Sequence, residues 1–280
     1  MHRFETWAPF AKSLSVSVNG VAHRMDGPNP NGWWQRDVED ATPGTDYGFL
    51  IDDDPACYPD PRSQWQPNGV HKSSRVYDQP AFGWTDGGFQ SIPLAGGIIY
   101  EMHIGTFTPE GTFDAAIVRL DYLVDLGITH VELMPVAAFE GQHGWGYDGV
   151  ALYAVHEPYG GPDGLKRFVN AAHEKGLAVL LDVVYNHFGP SGNYTGKFGP
   201  YVVDSHHTPW GGAVNLEDAG STRFVVFSWI THSCGCATIT SMDCASTPCM
   251  HSWTGRQSIS SSNSPSRSNG SRQVWRAGLF

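Results

Sequence analysis

Cysteine is scarce over most of this sequence: the first 230 residues contain only Cys57. That rules out a disulfide framework there and points to a reducing compartment, most simply the cytoplasm. Long apolar runs are also missing. Nothing approaches the roughly 20 consecutive apolar residues of a membrane-spanning helix. The N-terminal MHRFETWAPF has neither the basic n-region nor the apolar h-region of a signal peptide. Positive charge is in short supply, with 17 Lys and Arg against 28 Asp and Glu and a formal net charge of −11. Polyanion binding draws on clustered Lys and Arg, so nucleic acid is a poor partner and a neutral substrate a better one.

The chain has 280 residues, 40% of them hydrophobic and 12% aromatic, with ten Trp, which excludes wholesale disorder and gives enough length for a sizeable core. Its first ~90 residues have a β pattern. LSVSVNG (14–20) alternates apolar and polar residues and closes on Asn-Gly, a hairpin signal. GWWQRDV (32–38) and TDYGFLIDD (45–53) predict further short strands between Pro- and Gly-rich breakers, as in a small β-sandwich. PDPRSQWQPNGVH (59–71), rich in turn residues, reads as a linker or strap.

From Gly96 the rhythm changes. GGIIYEMHIG (96–105) is a compact apolar strand, and DAAIVRLDYLVDLG (114–127) puts Ile117, Leu120 and Val124 on one helical face. ITHVELMPV (128–136) is the next strand; a second helix starts near Asp163, its expected N-cap. LAVLLDVVYNH (177–187) reads as a continuous buried strand. Alternating strands and helices indicate a parallel α/β core, doubly wound or a (β/α)8 barrel. Polar residues at the C-terminal strand ends favour the barrel: Glu101, His103, Glu132, Asp182, Asn186 and His187. Only three such strands precede a shift in composition, so the barrel is expected to be incomplete.

Residues 226–280 lose periodicity and become Ser-rich, a low-complexity tail by composition. Within it Cys234, Cys236, Cys244 and Cys249 lie between His232 and His251. These could supply four zinc ligands, although the paired Cys-x2-Cys spacing of zinc knuckles is absent. Disulfides are the other chemical alternative.

GWGYDG (144–149) and LDVVYNH (181–187) together resemble the α-amylase superfamily of glycoside hydrolases, in which a D-x-x-x-N-H motif ends the third barrel strand. Here that motif is Asp182, Asn186 and His187. Trp7-Ala8-Pro9 on an N-terminal, immunoglobulin-like sandwich narrows the resemblance to branching-enzyme-like members. Four stretches then resemble the malto-oligosyltrehalose trehalohydrolases: 59–71, YEMHIGTFTPEGTF (100–113), HVELMPVAAFEGQHGWGYDGV (130–150) and FGPYVVDSHHTPWGGAVNL (198–216). The similarity runs over roughly residues 1–225. It implies three segments: a sandwich and strap (1–90), the first part of the barrel (91–225) and an aberrant tail (226–280).

The implied reaction is retaining hydrolysis of the α-1,4 bond that joins a terminal trehalose to a malto-oligosaccharide. Such chemistry sets a carboxylate nucleophile and a carboxylic acid about 5 Å apart. Maltooligosyltrehalose would be the substrate, with no cofactor, nucleic acid or membrane partner. The alternatives are a glycogen branching enzyme fragment and a non-catalytic α-glucan-binding fragment.

By the same resemblance His187 binds sugar hydroxyls, a task suited to an imidazole that both donates and accepts; a strand-end His satisfied by backbone is the plain alternative. Tyr147 matches an aromatic platform beneath the sugar. Asp182 organises the substrate site's hydrogen bonds and Asn186 tethers the following loop; Asp148 stands near the site with its role open, since a Tyr-Asp-Gly turn can use it purely for capping. Trp145 is expected in packing, as are Trp33, Trp34 and Trp65, for which a glycan-binding patch on the sandwich is the alternative; Glu101 and His103 are expected mainly in scaffolding. The family's essential carboxylates come later, beginning with a D-G-(L/F)-R-(L/F)-D-A motif. No such motif lies between Asn215 and Phe280, so no catalytic residue and no metal ligand is assigned.

The tail can also be read in another frame. If the codons of residues 229–248 are shifted one base earlier, they can encode DNALMWLRDYHVDGLRLDA, which contains the missing motif. Some letters are forced: Met242-Asp243 must give Gly, and Asp243-Cys244 must give Leu. A frameshift near Val226–Ser228 is the expectation, and resequencing codons 220–232 tests it. An intact gene that encodes these residues in frame sinks it.

Overall fold

The computed structural model describes residues 1–90, 92–208, 211–216 and 218. The Cys-rich segment, with its zinc and disulfide alternatives, and the stretch read in a second frame lie outside the described residues.

The N-terminal strands are β1 (His2–Trp7), β2 (Leu14–Val18), β3 (Val21–Arg24), β4 (Trp33–Val38), β5 (Asp46–Ile51), β6 (Cys57–Tyr58) and β7 (Ser74–Arg75). β1 and β4 pair antiparallel; a second antiparallel sheet runs β3-β2-β5-β6, with β7 also on β5. The expected hairpin forms between β2 and β3. Asn19 (φ 49°) and Gly20 (φ 84°) both take the left-handed conformation that a two-residue type I′ turn needs. Alternation places Leu14, Val16 and Val18 inward, where they meet Phe4, Trp7, Trp34 and Phe49 from the other strands in one buried cluster. Trp34 is buried, Trp33 packs against the same cluster, and Trp65 donates from Nε1 to Glu157 Oε2 at 2.8 Å. All three serve packing, as expected. Phe188, Phe198, Tyr201 and Val214 from much later in the chain complete this cluster.

Next come β8 (Ile99–Met102), α1 (Ile104–Phe107), α2 (Phe113–Ile117), α3 (Leu120–Asp125), β9 (His130–Leu133), β10 (Ala137–Ala138), β11 (Ala151–Val155), α4 (Gly161–Glu174) and β12 (Ala178–Leu181). After these lie α5 (Thr195–Phe198), β13 (Val202–Thr208) and β14 (Gly211–Val214). β8, β9 and β12 form a parallel sheet in the order β12-β9-β8. Side chains of α2, α3 and α4 share one core with Met102, Val131, Leu133 and Val179, so both crossovers cover the same face. Sequential strand order with helices on one face is barrel-type winding; a doubly wound sheet would carry helices on both faces.

Three local expectations need correction. The helix at 114–127 is two short helices, starting at Phe113 under a Thr112 cap whose Oγ1 accepts from Ala115 N at 3.2 Å. Phe113, the largest buried side chain there, sets the buried face as Phe113, Ala116, Leu120 and Leu123; Ile117 is half-buried and Val124 is 40% exposed. Asp163 is not the N-cap of α4. Gly160 (φ 116°) takes that place, because Pro162 is preorganised for the first turn. Asp163 sits in that turn and accepts from Tyr77 Oη at 2.5 Å. The predicted strand 177–187 pairs only as far as Leu181. Among the described residues β12 has a partner on one side alone, so residues 182–187 lack the second ladder that would hold them extended.

The segment 59–71, read as a linker or strap, meets the later chain through Trp65, and the residues after it continue along the same side. Besides Trp65–Glu157, Lys166 Nζ donates to Gln79 O at 2.9 Å, and His173 Nδ1 meets Asp86 Oδ2 at 2.7 Å. Phe89 stacks on His173 with ring centroids 4.0 Å apart. Residues 65–89 thus lie along α4 and the turn before it. No helix among the described residues is long and apolar enough to cross a membrane.

Candidate functional site

The parallel register brings Glu101 of β8 beside Glu132 of β9 at the C-terminal strand ends. Asp182 follows β12 directly, its N–H still bonded to Leu133 O at 2.9 Å. On these strands Met102, Val131, Leu133 and Val179 turn toward the helices. Glu101 and Glu132 alternate with them and so belong to the opposite face.

Tyr147 reaches this end from the GWGYDG loop and donates from Oη to Asp182 Oδ2 at 2.8 Å. Partial burial, the bond to Asp182 and the nearby Glu101 and Glu132 push its phenol up to about 12. Tyr147 therefore stays a neutral donor. Burial, then Glu101 and Asp182, raise the Glu132 carboxyl above its usual range. The end of the sheet is thus a negative, hydrogen-bonding surface with an aromatic ring 38% exposed at its rim.

Glycine fixes that loop. At Gly146 (φ 89°) an added Cβ would sit 1.9 Å from Pro135 O, and at Gly189 it would sit 2.0 Å from Asp148 O. Gly189 N donates to Gly149 O at 3.2 Å, locking the loop to the segment after His187. His103 secures its start: Nε2 lies 2.8 Å from Gly144 O and 3.0 Å from Tyr159 Oη, and Nδ1 lies 2.8 Å from Thr106 Oγ1. His103 is scaffold, as expected.

His187 is buried at 7% exposure, with Nδ1 2.8 Å from Asn186 Oδ1. An amide oxygen only accepts, so Nδ1 is the donor of this pair. Asn186 therefore orients His187, in addition to belonging to the loop. Asp148 is exposed and contributes its backbone to the Gly189 contact. Trp145, expected to pack, is 72% exposed: the turn buries Gly146 against Pro135 and leaves its neighbour in solvent. Tyr147 and Asp182 are brought into contact; His187 and Asn186 pair with each other.

One cluster escaped the sequence. His71 of the strap sits 3.1 Å from Glu140, 2.7 Å from Tyr194 Oη and 3.3 Å from Ser191 Oγ. Separations of up to 123 residues leave no local signal for it. Among the described residues no group of three or more His, Cys, Asp or Glu is placed to hold a metal ion.

The alpha-amylase catalytic-domain family matches residues 61–201, about half of the chain. The chain is 52% identical over 226 residues to a malto-oligosyltrehalose trehalohydrolase of Rhizobium sp. (strain M-11), covering 78% of this chain and 38% of the relative. A 1,4-alpha-glucan branching enzyme of Corynebacterium jeikeium is 29% identical over 220 residues, covering 74% of this chain and 31% of that protein. The crystal structure of a candidate alpha amylase from Salmonella typhimurium superposes with a TM-score of 0.77 at 43% identity, covering 82% of this chain and 39% of that one. The chain thus spans between 31% and 39% of the length of these relatives. With a family model matched over about half its residues and strand-end chemistry of this kind, the chain belongs to the alpha-amylase family of glycoside hydrolases.

Proposed function

We propose that residues 1–225 are the N-terminal part of a cytoplasmic trehalohydrolase, which releases trehalose from maltooligosyltrehalose by retaining hydrolysis. The Tyr147–Asp182 bond at the C-terminal strand ends carries the proposal. It presents an aromatic face and a fixed carboxylate together, which is what stacking and binding one glucose ring requires. In this scheme Tyr147, Asp182 and His187 hold the sugar beside the scissile bond, Asn186 orients His187, and Asp148 supports the turn. The segments are an immunoglobulin-like sandwich with its strap (1–90), the first three units of a (β/α)8 barrel (91–225) and a tail out of frame (226–280).

The nucleophile, the acid and the third carboxylate belong to motifs that the 280 residues do not contain. This chain is therefore expected to release no trehalose. A gene restored so that codons 229–248 read DNALMWLRDYHVDGLRLDA, and continue in that frame, is expected to release it. Trehalose is measured after incubation with maltooligosyltrehalose. New α-1,6 branches from the restored protein would instead support the branching alternative, and trehalose release by the 280-residue chain would refute the assignment of inactivity.

A further inference from the structure

A cavity of about 850 Å3 lies where the strap (66–72) meets residues 105–111, 138–143 and 156–159. Tyr147, Asp182 and His187 do not line it. Its size falls within the roughly 300–1,000 Å3 of small-molecule sites. Its walls are held from several sides. Trp65 Nε1 donates to Glu157 Oε2 at 2.8 Å, His71 joins Glu140 to Tyr194, and Tyr159 Oη meets His103 Nε2 at 3.0 Å.

The lining chemistry narrows the ligand. Phe139 and Tyr159, both buried, form its apolar floor, and Gln66 and Gln142 supply amides that both donate and accept. Glu110, Glu140 and Glu157 outweigh the one ammonium, Lys72, so an anion is disfavoured. His156 is 2% exposed and stacks on Phe139 at 3.8 Å and 11° between planes, yet among the described residues its Nε2 has no hydrogen-bond partner. A buried ring nitrogen left unpaired is costly, and a ligand hydroxyl offers the missing partner.

We propose that this cavity is a binding subsite for a short, neutral, α-linked gluco-oligosaccharide. An apolar floor ringed by amides and carboxylates matches the C–H faces and hydroxyls of pyranose rings. The preference for a neutral polyhydroxylated ligand rests on the lining alone; the α-glucan linkage rests on the function proposed above.

The test is hydrogen–deuterium exchange of the full chain with maltotriose. At sugar concentrations ten times the dissociation constant, ligand-shielded amides are expected to exchange about tenfold more slowly. That protection falls on peptides spanning 66–72 and 138–143. It survives Tyr147→Ala and is lost in Gln142→Trp, which fills the cavity from an exposed loop. Glu110→Leu, at a second exposed position, is expected to weaken it and covers the case in which Gln142→Trp misfolds. The proposal is overturned by protection confined to 144–149 and 182–188, by protection that persists when the cavity is filled, or by none at all. Failure of the restored protein to release trehalose would instead sink the proposed function and leave this pattern standing.

Discussion

Gly146 shows how tightly single residues set the site. An alanine there would be strained at φ 89° and would drive its Cβ into Pro135 O. Gly146→Ala is expected to cost on the order of 3 kcal/mol and to displace Tyr147, read as a lower urea midpoint and weaker maltotriose binding. His156 sets a pH limit. Burial holds its ring neutral down to about 4, whereas an unfolded imidazole protonates near 6.5. Between those values the unfolded chain binds more protons, so stability falls as pH falls, by on the order of 3 kcal/mol in full. Urea unfolding at pH 7.5 and 4.5 should show this loss in the parent and a smaller one in His156→Leu. Tyr147 and Asp182 could be found in the sequence because short motifs flag them. The His71–Glu140–Ser191 cluster could not, since long-range folding alone assembles it.

Elements differed in how far local chemistry decided them. Asn19-Gly20 fixes its hairpin from two residues, because few other pairs accept two left-handed conformations. The start of α4 was misjudged because Pro162 and Gly160 outrank Asp163 as signals. The end of β12 was misjudged because apolar composition cannot say whether a strand has a partner. The strap was legible as an element but its landing place on α4 was not. Trp65→Phe removes its bond to a carboxylate and is expected to loosen it by about 2 kcal/mol, measured as faster protease cleavage within 59–90. Unchanged cleavage would show that Trp65 contributes through ring packing alone.

For the molecule as a whole, winding order identifies the fold better than any single strand does, and the sequence displayed that order through alternating elements. Its surface carries a further consequence. Ile98 (55%), Ile99 (44%), Val118 (76%), Tyr122 (65%) and Leu126 (56%) are exposed, and β8 is an edge strand among the described residues. Such edges and apolar patches invite pairing with another chain. Concentration-dependent self-association is therefore expected in sedimentation velocity, reduced by Ile99→Lys with Leu126→Lys; a monomer at all concentrations would refute it. The core of the N-terminal strands, meanwhile, gains Phe188, Phe198, Tyr201 and Val214 only late in the chain. On a ribosome, the strands of residues 2–75 therefore wait for more than a hundred further codons before their last apolar wall arrives. At ordinary elongation rates that delay is on the order of ten seconds. Through that interval the nascent chain presents an uncovered aromatic surface, which is expected to make it a client for chaperones even while β8, β9 and β12 emerge and pair.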